Sequence, residues 1–147
     1  MTDAPPRLDQ MLCFALYSAT GALNRAYKPA LEALGLTYPQ YVTLVALWER
    51  DGRTVGQLGE ALFLESNTLT PLLKRMEAAG LVRRARDPAD ERQVRVVLTE
   101  DGRAMQARAA DLPRHMLKAL GCDAETVAAL TAEVAEMRDR VTGGKAA

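Results

Sequence analysis

The segment from Thr54 to Thr99 constrains this chain more than any other. TVGQLGEALFLESNTLTPLLKRMEAAGLVRRARD reads as a helix, a tight turn, a second helix and a strand, and PADERQVRVVLT as a charged loop and a returning strand. Two short helices joined by a tight turn and followed by a basic β-hairpin make a shape that fits DNA rather than a small substrate. The expected fold is therefore mainly α with a small β-hairpin wing, a winged helix-turn-helix.

Caps and periodicity carry that reading. Thr54 with Gln57 three residues on is a capping box, which predicts a helix from Val55. Leu58, Ala61 and Leu62 give it one apolar face, and Phe63-Leu64-Glu65 forms the turn. In the second helix Leu69, Leu72, Leu73 and Met76 recur at i, i+3, i+4, i+7, a stripe meant for burial. Gly80 closes that helix as the residue after its cap. Its other face carries Ser66, Asn67, Thr68, Thr70, Pro71, Lys74 and Arg75. Short hydroxyls and an amide near the first turn can meet base edges and phosphates, while Lys74 and Arg75 hold the backbone. The competing reading of that face is an ordinary amphipathic surface helix.

Residues 81–86 and 93–98 alternate apolar and polar side chains as half-buried strands do, around the turn-rich tip Asp87-Pro88-Ala89-Asp90-Glu91-Arg92. Asp90, two residues before Arg92, is placed to hold the guanidinium extended toward a narrow minor groove. Taken alone the pair is equally well read as a surface ion pair of little energetic weight.

Charge agrees with this division. The 147 residues have a formal net charge of zero, but Ser66–Thr99 holds seven Lys or Arg against four Asp or Glu, and Asp123–Val141 two against five. The basic excess falls where phosphate would need neutralising. Several classes drop out. No apolar run approaches the roughly 20 residues of a membrane span, and the first residues lack a signal-peptide pattern. One His and two widely separated Cys do not make a zinc site. No phosphate-binding glycine loop or nucleophile elbow is present, so neither a metal nor a cofactor is expected, and His115 reads as a surface residue. The expected setting is the cytoplasm, where cysteines stay reduced and unpaired.

The flanks read as dimerisation helices. Leu8, Leu12, Ala15, Leu16, Ala19 and Leu23 predict a helix from Leu8 to Ala26, with Pro29 opening or kinking a further short helix to Leu34. Thr37 and Gln40 form a second capping box, starting a helix through about Glu49 with Pro39 in its first turn. Thr99 predicts a long helix toward Leu120, kinked at Pro113. Asp123 caps the last one, along which Val127, Leu130, Val134, Met137 and Val141 keep a near-heptad spacing. So much apolar surface flanking a small domain is most simply covered by a second copy, and two-fold symmetry matches a pseudo-palindromic double-stranded operator. The alternative is that these helices fold back on their own chain.

Taken together, LTPLLKRMEAAGLVRRARDPADERQVRVVLTEDG resembles the recognition helix and wing of the multiple antibiotic resistance (MarR) family of regulators. Asp90-x-Arg92 followed by Leu98-Thr99-x-x-Gly102 is the most specific stretch. Upstream, LCFALYSATGALNRAYKPALEALGLTYPQYVTLVALWE is similar to the organic hydroperoxide resistance branch. Glu65-Ser66-Asn67 departs from the Asp, Ser and Gly more usual at the start of the recognition helix. The resemblance implies a single domain over 1–147, with the winged helix at about 53–99 and dimerisation helices at about 8–34 and 100–142. It implies a homodimeric repressor released from its operator when Cys13 is oxidised by an organic hydroperoxide. Tyr27 and Tyr38 would be the hydrogen-bond donors to the sulfur.

The chemistry of Cys13 can also be argued directly. Only a thiolate attacks a peroxide effectively, so a sensor cysteine needs its anion stabilised. All four tyrosines, Tyr17, Tyr27, Tyr38 and Tyr41, lie in the first third of the chain, and phenols donate hydrogen bonds without adding charge. Tyr17, at i+4 from Cys13, is a further candidate donor. Tyr27 is fourteen residues on, so along a continuous helix it lies about 21 Å away and would have to come from the partner subunit. Leu12, Phe14 and Leu16 would make the surroundings apolar, favouring organic peroxides. Without the tyrosine spacing, a small buried hydrophobe is the commoner fate of a free cysteine. Cys122, in Gly121-Cys122-Asp123, is a candidate resolving thiol for a sulfenic acid at Cys13, provided the two Cα atoms can come within about 7 Å. Two rival readings are a thiol peroxidase, and a repressor gated by a non-covalent phenolic or lipophilic ligand in which Cys13 is incidental.

Overall fold

The computed structural model describes residues 5–144. A 3₁₀ turn (Leu8–Gln10) leads into α1 (Leu12–Ala33), α2 (Tyr38–Glu49), α3 (Val55–Leu62) and α4 (Ser66–Ala78). A hairpin of β1 (Val82–Arg86) and β2 (Val94–Leu98) follows, and then α5 (Glu100–Arg108), α6 (Leu112–Leu120) and α7 (Ala124–Val141).

Both capping boxes form. Thr54 Oγ1 accepts from the Gln57 amide at 3.1 Å while Gln57 Oε1 accepts from the Thr54 amide at 2.9 Å. Thr37 and Gln40 make the same exchange at 3.4 and 3.0 Å. The stripe of Leu69, Leu72, Leu73 and Met76 is buried, packed with Leu44, Leu47 and Leu58 of the two preceding helices. α4 stops where Gly80 takes a left-handed φ of 74°, which lets the Leu81 amide reach back to the Met76 carbonyl at 3.0 Å.

The hairpin is antiparallel, with Val82 opposite Leu98 and Arg86 opposite Val94. Val82, Val96 and Leu98 close the core from below. The Leu98-Thr99-x-x-Gly102 stretch joins wing to core. Thr99 Oγ1 donates to the Gly80 carbonyl at 2.6 Å and accepts from the Gly102 amide at 3.0 Å, and Trp48 Nε1 donates to the Gly102 carbonyl at 3.0 Å. A methyl group at position 102 would run into the Leu81 carbonyl oxygen, so this close approach requires glycine.

Two expectations about the flanks are corrected. The first helix begins at Leu12 rather than Leu8 and continues unbroken through Pro29 to Ala33. Pro29 faces solvent, where water can satisfy the carbonyl its missing N–H leaves free, and burial of Leu31 with Ala30 and Leu34 against the core holds the helix beyond it. The helix expected from Thr99 to Leu120 is two helices, broken over Ala109–Asp111. Pro113 cannot donate to the Ala109 carbonyl, so it sits in the first turn of α6 instead of kinking a longer helix.

The terminal helices leave apolar side chains open. α7 buries none of its residues, and Leu130, Val134 and Val141 are 51%, 45% and 82% exposed. On α1 Leu12, Phe14 and Tyr17 are likewise exposed.

Candidate DNA interface and cysteine site

The second helix of the pair presents its polar face outward. Ser66, Asn67, Thr68, Pro71, Lys74 and Arg75 are exposed, and Thr70 is half-buried. Glu65 occupies the cap position without a side-chain bond to the helix, so the carboxylate does not close the first turn. The Ser66 and Asn67 amides are left without a partner among the described residues. Pro71 lacks the N–H that would bond the Asn67 carbonyl, which frees a polar group on the same exposed face. Between this face and the wing lies a cleft of about 380 Å³ lined by Thr54, Ser66, Thr70, Arg84, Arg92 and Gln93.

At the wing tip Asp90 Oδ1 accepts from both the amide and Nε of Arg92 at 3.1 Å, and Oδ2 from its Nη2 at 3.5 Å. The Arg92 side chain is 91% exposed, so the pair does not bury the guanidinium but presents it.

Three further carboxylates fix the hairpin's base. Asp87 is buried, with Oδ1 accepting from the Ala89 amide at 2.8 Å and Oδ2 from Arg95 Nε at 2.8 Å. Arg95 Nη1 reaches on to the Gly52 carbonyl at 2.7 Å. Asp51 accepts from the Leu98 amide at 2.9 Å and from Arg103 at 3.2 Å. Glu77, on α4, accepts from the Arg84 amide at 2.7 Å and its guanidinium at 3.3 Å. The Ala89 N–H, aided by Arg95, holds the Asp87 carboxyl below the ordinary aspartate range, and the Arg84 amide and side chain do the same for Glu77. Sequence reasoning had not singled out Arg84, Asp87 or Arg95. Hairpin register was the signal for the last two, since pairing Arg86 with Val94 folds Asp87 back beside Arg95.

The tyrosines gather as a cluster. Tyr27 and Tyr38 have ring centroids 5.1 Å apart, and Tyr41 lies 6.2 and 6.5 Å from them. Burial, with its two phenol neighbours adding to it, pushes the Tyr27 pKa up to about 12, and Tyr41 is also raised. A phenol held in its protonated form is a lasting hydrogen-bond donor. Cys13 is exposed on α1, fourteen residues along that helix from Tyr27. Tyr17, one turn from it, faces solvent. Cys122 is half-buried in the α6–α7 turn, after Gly121 at φ 64°, with its thiol 3.4 Å from the Leu120 carbonyl. His115 is exposed. Among the described residues no helix is long and apolar enough to cross a membrane, and no group of acidic, His and Cys side chains is arranged to hold a metal ion.

Residues 25–108, more than half of the chain, match the family model for the transcriptional regulator SarA/Rot. The chain is a winged-helix transcriptional regulator of the MarR-like family. It is 48% identical over 76% of its length to the organic hydroperoxide resistance transcriptional regulator of Bacillus subtilis, covering 76% of that protein. The same identity holds to the HTH-type transcriptional regulator TtmR of Methylorubrum extorquens, over 95% of this chain and 71% of that one. Among solved structures, reduced AbfR bound to DNA superposes with a TM-score of 0.77 at 33% identity, over 92% of this chain and 94% of that one. AbfR, from Staphylococcus epidermidis, is also known overoxidised on DNA (TM-score 0.72) and with its disulfide formed (0.61), both at 34% identity. These relatives are DNA-binding regulators and not enzymes, and so is this winged-helix protein.

Proposed function

We propose that this regulator is a homodimeric cytoplasmic repressor that senses organic hydroperoxides through Cys13. The observation that carries the reading is the position of the Tyr27–Tyr38 pair, 5.1 Å apart, with Tyr27 on the far part of the helix that bears Cys13 and Tyr38 at the start of α2. Fourteen residues of uninterrupted helix set Tyr27 about 21 Å from the cysteine of its own chain. An antiparallel crossing of two α1 helices would bring each Cys13 to the partner's phenols, and would cover the apolar residues that α1 and α7 leave open.

At such a site the Cys13 thiolate attacks the terminal peroxide oxygen. The O–O bond breaks, the sulfur becomes a sulfenic acid, and the alkoxide leaves as the alcohol after taking up a proton. The thiol of Cys122 of the partner subunit then condenses with the sulfenic acid, forming an intersubunit disulfide and releasing water. Leu12, Phe14 and Leu16 favour an organic over an inorganic peroxide. The recognition face, Ser66, Asn67, Thr68, Thr70 and Pro71, reads bases and backbone in the major groove, Lys74 and Arg75 bind phosphate, and Arg92, held by Asp90, enters the minor groove.

The test is release of a duplex selected by the reduced protein from a random pool, on adding an organic hydroperoxide. Wild type is expected to let go and Cys13→Ser to stay bound. Equal release of both would transfer the function to the ligand-gated reading.

A further inference from the structure

The C-terminal end of α7 comes to rest on the turn between α3 and α4. The Arg138 guanidinium carbon stands 4.0 Å above the centroid of the Phe63 ring. Arg138 is oriented there by its neighbour, since Nε and Nη2 both donate to Asp139 Oδ1, at 3.0 and 2.8 Å. Beside the stack, Thr142 and Gly144 line one wall of a groove whose other wall is Gly59, Glu60 and Leu64.

Phe63 is an unusual residue for that turn. Its φ of 55° and ψ of 39° are left-handed, and it is the one non-glycine with positive φ among the described residues. Glycine or asparagine would adopt that backbone at lower cost. The ring is 42% exposed, so core packing does not account for it either. What the ring does provide is a face for a cation. Three residues later the recognition helix begins, so a force on Phe63 is delivered to its first turn.

We propose that Arg138 is a positioning residue for operator recognition: its stack on Phe63 ties the terminal helix to the helix-turn-helix and so sets the separation of the two recognition helices in the dimer. The proposal rests on the dimeric reading given above. A dimer reads half-sites about one helical turn of DNA apart. Lobes tied to the dimer helices accept one spacing, and lobes on a loose joint accept several.

The experiment compares binding of the reduced protein to three duplexes. One is selected by wild type from a random pool, one is the same duplex with a base pair inserted between half-sites, and one carries a single half-site. Arg138→Gln and Phe63→Asn, the latter suited to the left-handed backbone, are expected to reduce the preference for the selected spacing about two- to fivefold. Their affinity for the single half-site should not change. The double variant should be no worse than either single one, and Arg138→Lys should keep part of the preference. An unchanged spacing ratio, an equal loss on all three duplexes, or additive losses in the double variant would each overturn the proposal. A monomeric wild type at assay concentration would overturn the dimeric reading, and the proposal with it. Thermal unfolding of each variant checks that the fold is retained.

Discussion

Cys13 and Tyr27 stand on one uninterrupted helix, fourteen residues apart, and therefore cannot touch within a chain. Every route to a phenol–thiolate bond between them passes through a second subunit. Mixed dimers provide the measurement. Cys13→Ser and Tyr27→Phe homodimers are each expected to respond poorly to peroxide. A dimer of one subunit of each kind restores one complete site, and with it sulfenic acid formation at about half the wild-type amount. A mixed dimer as inert as its parents would show that the two residues do not cooperate across the interface.

Arg92 presents its charge to solvent while Asp90 fixes its direction. Arg92→Ala is expected to weaken binding to the selected duplex and to reduce the slope of log affinity against log salt by about one. The protein should remain folded, because the side chain is 91% exposed. Identical slopes would remove Arg92 from the interface.

The carboxylates at the wing's base make its fastening sensitive to acid. Glu77 and Asp87 have lowered pKa values in the fold, against ordinary values of 4.5 and 3.8. The unfolded chain therefore binds more protons than the native one in the acid range. The stabilisation is complete above those ordinary values and is lost as pH falls through the lower folded ones. Wing amides should lose hydrogen-exchange protection on acidification before those of α2 do. Asp87→Asn should display the loosened wing already at neutral pH. Wing protection that is indifferent to both changes would refute the fastening.

Cys122 is the proposed second half of the switch. After peroxide treatment, wild type is expected to run as a covalent dimer on a denaturing gel without reductant, and Cys122→Ser as a monomer. The variant should accumulate overoxidised Cys13. It should also remain on DNA, since no disulfide forms to shift the terminal helices. Release by Cys122→Ser equal to wild type would show that the disulfide is not what frees the operator.

Gly102 lets α5 start directly against the Leu81 carbonyl. Gly102→Ala is expected to destabilise the fold by about 1–3 kcal/mol, the range for overpacking a tight site. Denaturant unfolding measures it. A variant as stable as wild type would mean the strand end and the helix can part without cost.

How much could be read from the sequence depended on how local each signal was. The Thr37 and Thr54 capping boxes, the Leu69–Met76 stripe and the Gly80 stop each involve residues within one or two turns, and all formed as read. Asp90 and Arg92, two residues apart, also paired as expected. Pro29 and Pro113 show where locality fails. The same residue type is carried inside one helix and opens another, because burial of Leu31 outweighs the local penalty in α1, while in α6 proline already suits the first turn. Arg138 and Phe63 are 75 positions apart and no periodicity joins them, so their stack was visible only in the fold.

α7 carries eighteen residues of helix and buries none of them. A helix with an open apolar side draws most of its stability from whatever covers it. If the cover is a second copy, completing this fold is a bimolecular event, and dilution acts on it as a denaturant does. Protein concentration then becomes an input to the regulator alongside peroxide. A cell holding few copies would have operators left free by mass action alone, and one that makes more copies would shut them before any chemistry at Cys13 takes place.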